Sequence, residues 1–212
     1  MNYAQLSQSI QDYVQSTETS FVANIPNFVQ LAEERIYNSV QIPAIRKNST
    51  ATMTIGNKYM SLPPDWLSTF SLAVFNPSNN EYTYLLNKDV NYIRQAYPDA
   101  DDTGLPKYYA IWDADTMLLG PAPDIAYTAE LHYYYYPTSI VDAGTSWLGT
   151  NFETVLLYGS LREAYIYLKG EQDMMNYYEQ KYQESLGLLK RLGDGLDRQD
   201  AYRSGQVRIP VT

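Results

Sequence analysis

The sequence predicts an α+β fold. N-terminal helices and a long C-terminal helical hairpin form a helical bundle, around a central, mainly antiparallel β-module and ahead of an extended C-terminal tail. Three observations carry this expectation. Apolar residues recur at helical spacing up to about residue 48, the period switches to two from Thr50, and helical spacing returns after Gly144. The order places a β-module (49–144) inside one helical domain built from 1–48 and 145–192, with an arm at 193–212.

Leu6, Ile10, Tyr13 and Val14 mark a first helix over Tyr3–Val14, and the polar stretch QSTETS ends it. In NIPNFVQLAEERIYNSVQIP, Asn24 reads as an N-cap and Pro26 falls in the first turn, where a missing N–H is harmless. Ile25, Val29, Ala32, Ile36 and Val40 form one apolar stripe, Glu33 and Glu34 face away from it, and Pro43 ends the helix.

TATMTI and KYMSLP alternate on either side of Gly56-Asn57, a hairpin signal. LPPDW breaks the sheet, and LSTFSLAVF resumes it until the NPSNNE loop. A short helix over about Lys88 to Gln95 and the acidic loop YPDADDTGLP come next. KYYAIW, TMLLG and IAYTAELHYYYY then follow as a meander. On the last strand, period two puts Tyr133 and Tyr135 with Tyr127, Ala129 and Leu131 on the inner face. It puts Tyr134 and Tyr136 with Thr128, Glu130 and His132 on the other.

SWLGTNFETVLLYGSLREAYIYLKG carries two stripes, Phe152/Val155/Leu156/Gly159 and Leu157/Leu161/Ala164/Leu168. It must be covered on two sides, by its own subunit or by a neighbour. After a corner at Gly170-Glu171, a helix of about 33 Å presents Met174, Tyr178, Tyr182, Ser185, Leu189 and Leu192 on one face. GDG at 193–195 reads as its stop. The remaining residues are polar, with no period until Val207-Arg208-Ile209-Pro210, and read as an arm that orders on a partner.

Composition excludes several functions. With a net charge of −9 and no basic cluster beyond Lys190-Arg191, a dedicated nucleic-acid binder is not expected. The absence of cysteine rules out disulfides and thiolate metal sites. No run of 18 apolar residues exists and no basic, then apolar, leader opens the chain, so neither a membrane span nor a signal peptide is expected. The 22 tyrosines against 5 phenylalanines favour surfaces that are buried against partners yet half wet.

No catalytic residue, cofactor or metal is expected. The single histidine, His132, reads as a packed strand residue, and no G-x-S-x-G accompanies it. Asp99, Asp101 and Asp102, then Asp113 and Asp115, then Asp194, Asp197 and Asp200 read as turn aspartates, since none fits a calcium loop. Glu33-Glu34-Arg35 and Arg162-Glu163 read as a solvated or intersubunit charged face. The alternative to a structural role is a carbohydrate-binding module of a tail spike or adhesin that stacks sugars on Tyr108, Trp112, Tyr134 and Tyr136.

The order of segments is more specific than any one motif. IPNFVQLAEERIYNSVQIPAIRK precedes YMSLPPDWL, then GLPKYYAIWDADTMLLGPAPD, then AELHYYYYP, then the segment from TSWLGTNFETVLLYGSLREAYIYLKG to YQESLGLL. Over about residues 1–192 this resembles the head-to-tail adaptor proteins of short-tailed phages. The resemblance implies a virion protein at the head–tail junction, assembled in the host cytoplasm. It implies a homo-oligomeric ring, typically of about twelve copies, closed by side-by-side contacts. The implied partners are the portal protein and the tail nozzle, with tail fibres left as an open alternative, and genomic DNA passes through the ring without specific binding. On that reading the expected portal-binding arm carries Arg198, Tyr202, Arg203, Val207, Arg208, Ile209 and Val211. The expected subunit interface carries Leu157, Leu161, Tyr165, Tyr178, Tyr182, Tyr134 and Tyr136.

Overall fold

A computed structural model describes residues 1–99 and 101–204, with side chains through Gly193. In chain order the helices are α1 (Tyr3–Val14), α2 (Thr19–Ser39), α3 (Val90–Ala96), α4 (Ile140–Ala143), α5 (Trp147–Asn151), α6 (Glu153–Tyr167) and α7 (Gln172–Ser204). The strands are β1 (Arg46–Thr52), β2 (Tyr59–Ser61), β3 (Ser68–Asn76), β4 (Glu81–Tyr84) and β5 (Leu86–Asn87). They continue with β6 (Thr103–Gly104), β7 (Tyr108–Ile111), β8 (Thr116–Gly120), β9 (Ala122–Pro123) and β10 (Thr128–Tyr134). The α+β class is as the sequence predicts. The chain divides into a helical unit, Met1–Ile45 with the chain from Tyr136 onward, and a β unit, Arg46–Tyr135.

In the helical unit, α1 starts on a capping box. Asn2 Oδ1 accepts from the Gln5 amide at 2.9 Å, and Gln5 Oε1 accepts from the Asn2 amide at 3.0 Å. α2 begins at Thr19, earlier than its sequence suggests. Asn24 is therefore no cap but lies inside the helix with its amide on the Ser20 carbonyl (2.8 Å), and Pro26 is internal too. Packing explains the early start. Phe21 and Ile25 are fully buried, and Phe21, Phe28 and Tyr167 form an aromatic triad with centroids 5.3 to 6.4 Å apart. Tertiary burial of this kind outweighs the local cost of an internal proline.

The first arm of the hairpin is broken at Phe152 into α5 and α6. α6 contacts α1, α2, α5 and α7, so its two apolar stripes are covered within the protomer up to Ala164, while Leu168 beyond its end stays exposed. Val155, Leu156, Leu161 and Ala164 are completely buried. α7 is a single helix of 33 residues, about 50 Å long at 1.5 Å per residue. It buries Tyr178, Tyr182, Leu186 and Leu189, whereas Met174 and Leu192 are exposed, a rotation of the face read from the sequence. Helix α7 also passes through GDG without stopping. A Cβ on Gly193 would lie 2.5 Å from the Gln41 carbonyl oxygen, so the glycine permits a close backbone approach there.

The β unit holds two four-stranded sheets, ordered β1-β10-β3-β4 and β2-β8-β7-β5, and a small parallel pair, β6-β9. β10 is central in the first sheet, with Leu131 opposite Ser49 of β1 on one side and Leu72 of β3 on the other. Leu72, Val74, Leu131 and Tyr133 of that sheet share a core with Met117 and Leu119 of the second. Helix α3 covers the back of the second sheet through Ile93, against Ala110 and Leu118. Strand β8 is thus buried on both faces, which is why TMLLG reads as a continuous apolar run.

Pairing differs from the sequence reading in three places. A turn exists at Gly56 (φ 73°), whose amide donates to the Pro123 carbonyl at 2.8 Å, but its arms β1 and β2 join different sheets. The meander also divides: β7 and β8 pair, while β10 crosses to the other sheet. Strands β4 and β5 occupy a stretch that the sequence reading left unassigned. Alternation specifies a strand and its faces, whereas the partner is chosen by distant residues.

Candidate assembly surfaces

The four consecutive tyrosines divide by face. Tyr133 is 1% exposed in the core, and Tyr135 packs partly buried against the same cluster. The Tyr133 hydroxyl donates to Asp65 Oδ1 at 2.8 Å, and Lys47 donates to Asp65 Oδ2 at 2.7 Å. The Lys47 hydrogen bond, then that of Tyr133, holds the Asp65 carboxyl below the usual carboxylate range. Burial, with Asp65 beside it, pushes the Tyr133 hydroxyl up.

The other face of the first sheet is an exposed aromatic surface. A register shift between His132 and Tyr133 brings Phe70 beside both His132 (5.1 Å between centroids) and Tyr134 (5.9 Å). The Arg46 guanidinium lies 4.6 Å from the Phe70 ring centroid. Further along, Phe75 meets Tyr82 at 5.1 Å, and Tyr82 and Tyr84 are 57% and 69% exposed. The second sheet carries its own cation–aromatic group. The Arg94 guanidinium stands 4.6 Å over Trp112, Tyr59 meets Trp112 edge-on at 5.7 Å, and Lys88 lies 5.2 Å over Tyr92.

The four residues weighed for sugar stacking do not form one platform. Tyr108 and Trp112 belong to the second sheet and its flank, and Tyr134 belongs to the first. Tyr136 belongs to the helical unit, where its hydroxyl donates to Asn38 at 2.6 Å. The aspartates of the acidic loops act as turn formers, with Asp99 accepting from the Asp101 amide (3.0 Å) and Asp113 from Asp115 (3.1 Å). Among the described residues no group of three or more His, Cys, Asp or Glu is arranged to hold a metal. Nor is any described helix long and apolar enough to cross a membrane.

In the helical unit, charges expected on a solvated or intersubunit face are used internally. Glu163 Oε1 accepts from Arg35 at 2.8 Å and from Arg162 at 3.2 Å, and Arg162 also pairs with Glu179, so one network ties α2, α6 and α7. Glu33, expected to point outward, is 3% exposed. One of its oxygens accepts the Ile140 amide at 3.0 Å, which fastens the start of α4 to α2. Burial raises its pKa, against the opposing pull of hydrogen bonds from Ser139 and Ile140. The buried Tyr182 hydroxyl has no hydrogen-bond partner among the described residues, and burial pushes it up to about 12.

Of the residues expected at a subunit interface, Leu157, Leu161, Tyr178 and Tyr182 are buried in the protomer's own core. That burial removes them from any free surface. Tyr165 is half-buried with its ring 4.8 Å from Tyr178, Tyr134 is half-buried, and Tyr136 is exposed. The apolar surface of α7 is made instead by Met174, Tyr177, Leu188 and Leu192, with Leu188 59% exposed. Exposure, rather than aromatic content, separates the two sets, and sequence periodicity alone did not reveal it. Arg198, Tyr202 and Arg203 fall where side chains are outside the described residues, and Val207, Arg208, Ile209 and Val211 lie outside them altogether.

A comparison with curated proteins gives no match. The family described as SU10 adaptor protein matches residues 1–210, nearly the whole chain. The match takes in the whole β unit and nearly all of the helical unit, so the chain belongs to the SU10 adaptor protein family and is a phage adaptor, a structural component of the virion.

Proposed function

We propose that this adaptor is the head-to-tail connector of a short-tailed phage, forming a ring of about twelve copies between portal and tail nozzle around the DNA passage. The observation that carries the reading is the family match over residues 1–210. It is supported by the exposed aromatic and aliphatic side chains Tyr82, Tyr84, Tyr177 and Leu188, which the protomer itself leaves uncovered. The net charge of −9 suits a channel that does not trap phosphate backbones. In this reading the helical unit builds the ring wall and the β unit contacts the nozzle, fibres or neighbouring copies. The arm, 193–212, docks on the portal through Arg198, Tyr202, Arg203, Val207, Arg208, Ile209 and Val211.

Electron microscopy and mass measurement of the protein with and without portal test the ring. Closed rings on portal are expected, and a species that stays monomeric on portal would refute the assignment. Deleting 196–212 is expected to abolish portal docking while the melting transition of the remaining chain stays unchanged and circular dichroism loses only the helical signal of the deleted end of α7. Undiminished docking by that truncated chain would remove the arm from the portal contact.

A further inference from the structure

The β unit is open along one side. β1 and β2 are the outer strands of their two sheets, and the chain crosses from one sheet to the other between them. Two cavities of about 240 and 280 Å³ lie along this seam and share Ala51, Met60 and Ser61 as walls. The first reaches inward to Met53 and Leu119, the second to Leu62 and Leu131, all core residues. The cause is in β1 itself. Ser49 and Ala51 occupy its inward positions, opposite Leu131 and Ala129, and are too small to close the gap. Ala51 is exposed although it sits on the core face. An outer strand also offers unpaired N–H and C=O groups, so the seam can take an added strand with apolar side chains at alternate positions.

The chain contains such a segment beyond the described residues. In Val207-Arg208-Ile209-Pro210-Val211 the apolar residues alternate with a cation and a proline. The inward residues of β1 send their amides to β10, as Met53 does to the Tyr127 carbonyl, so a strand added parallel to β1 would aim the amides of Val207, Ile209 and Val211 at β1 while their side chains face the core. Pro210, which has no N–H, would fall on the side that needs none. The segment, at about 3.3 Å per residue, matches the stretch of β1 that borders the cavities.

We propose that, where no portal is present, residues 207–211 of one copy add as a strand to β1 of a second copy. Val207, Ile209 and Val211 then fill the seam over Ala51 and Met60. This goes beyond the ring assignment by giving the arm a seat on the protein itself, and portal-free experiments decide it separately from portal docking.

Hydrogen exchange and sedimentation of the full chain without portal test it. Wild-type protein is expected to self-associate with rising concentration while β1 amides not bonded to β10 slow by tenfold or more. Ile209→Asp, in a segment outside both units' described cores, is expected to abolish both effects. Ala51→Leu, which narrows the seam, is expected to do the same with an unchanged circular dichroism spectrum. Three results would overturn the proposal: β1 amides that exchange freely at every concentration, protection that persists in Ile209→Asp, or protection that does not vary with concentration.

Discussion

The two units place their charges differently, although each holds both buried and exposed tyrosines. In the helical unit Tyr178 and Tyr182 are core residues, and the charges of Arg35, Arg162, Glu163 and Glu179 close on one another. In the β unit Tyr59, Tyr82 and Tyr84 stay exposed, and Arg46, Lys58, Lys88 and Arg94 lie over aromatic rings at the surface. A phenolic ring is apolar area with one polar tip, so it serves a core where the tip is tolerated and a half-wet surface where it is hydrated. By its charges the helical unit reads as scaffold, with exposed apolar side chains on α7, and the β unit carries most of the cation–aromatic surface. Substitutions should separate stability from assembly along that line.

The largest loss is expected at Leu161, buried completely on the helix with most neighbours. Leu161→Ala should cost about 2–5 kcal/mol in chemical denaturation, from lost transfer energy and a residual cavity. A loss under about 1 kcal/mol would mean that α6 is not the buried centre of the unit.

Glu163→Ala should come next, at about 2 kcal/mol, because it strands Arg35 and leaves Arg162 only Glu179, beside a carboxylate position that is only 12% exposed. Glu33 differs in sign. Its pKa is raised in the folded chain, so folding takes up a proton between the ordinary glutamate pKa and the folded one. Its favourable contribution is fully present below the unfolded pKa and is lost as pH rises through the folded pKa. Melting temperature should fall across that window in wild type, and Glu33→Gln should flatten the slope while keeping an acceptor for the Ile140 amide. Glu33→Ala should destabilise at every pH, since that amide loses its partner.

These two glutamates show what the sequence discloses and what it hides. Period two placed Tyr127, Leu131 and Tyr133 in the core and His132 and Tyr134 outside it, because strand geometry fixes faces locally. The stripe Ile25, Val29, Ala32 and Ile36 was legible for the same reason. Glu33 was not, because its partner is 107 residues away in sequence. The turn at Gly56 was legible, yet β1 chose β10 and β2 chose β8, choices made by long-range burial. Gly193 looked like a stop because its cause, the Gln41 carbonyl, lies on another element.

A smaller effect sharpens the contrast from within the helical unit. Tyr182→Phe removes a buried hydroxyl without a protein partner among the described residues, so it should be neutral or stabilising by up to about 1 kcal/mol. A clear loss in the melting curve would show that the hydroxyl is engaged in solution.

The smallest effect on stability should accompany the largest effect on assembly. Tyr82→Ser with Tyr84→Ser removes two side chains that are 57% and 69% exposed, on an edge strand whose backbone pairing with β3 does not depend on them. The melting transition should move by no more than about 0.5 kcal/mol, the usual range for surface changes. If that aromatic face is where the β unit meets its neighbours or the tail, negative-stain micrographs with portal should show rings missing or incomplete. Because the fold is intact in this variant, the defect could not be attributed to unfolding. Complete rings and tails would instead move the contact to the second sheet, where Arg94→Ala and Trp112→Ala test the other exposed aromatic group. Either result divides the molecule between what holds it together and what it holds on to.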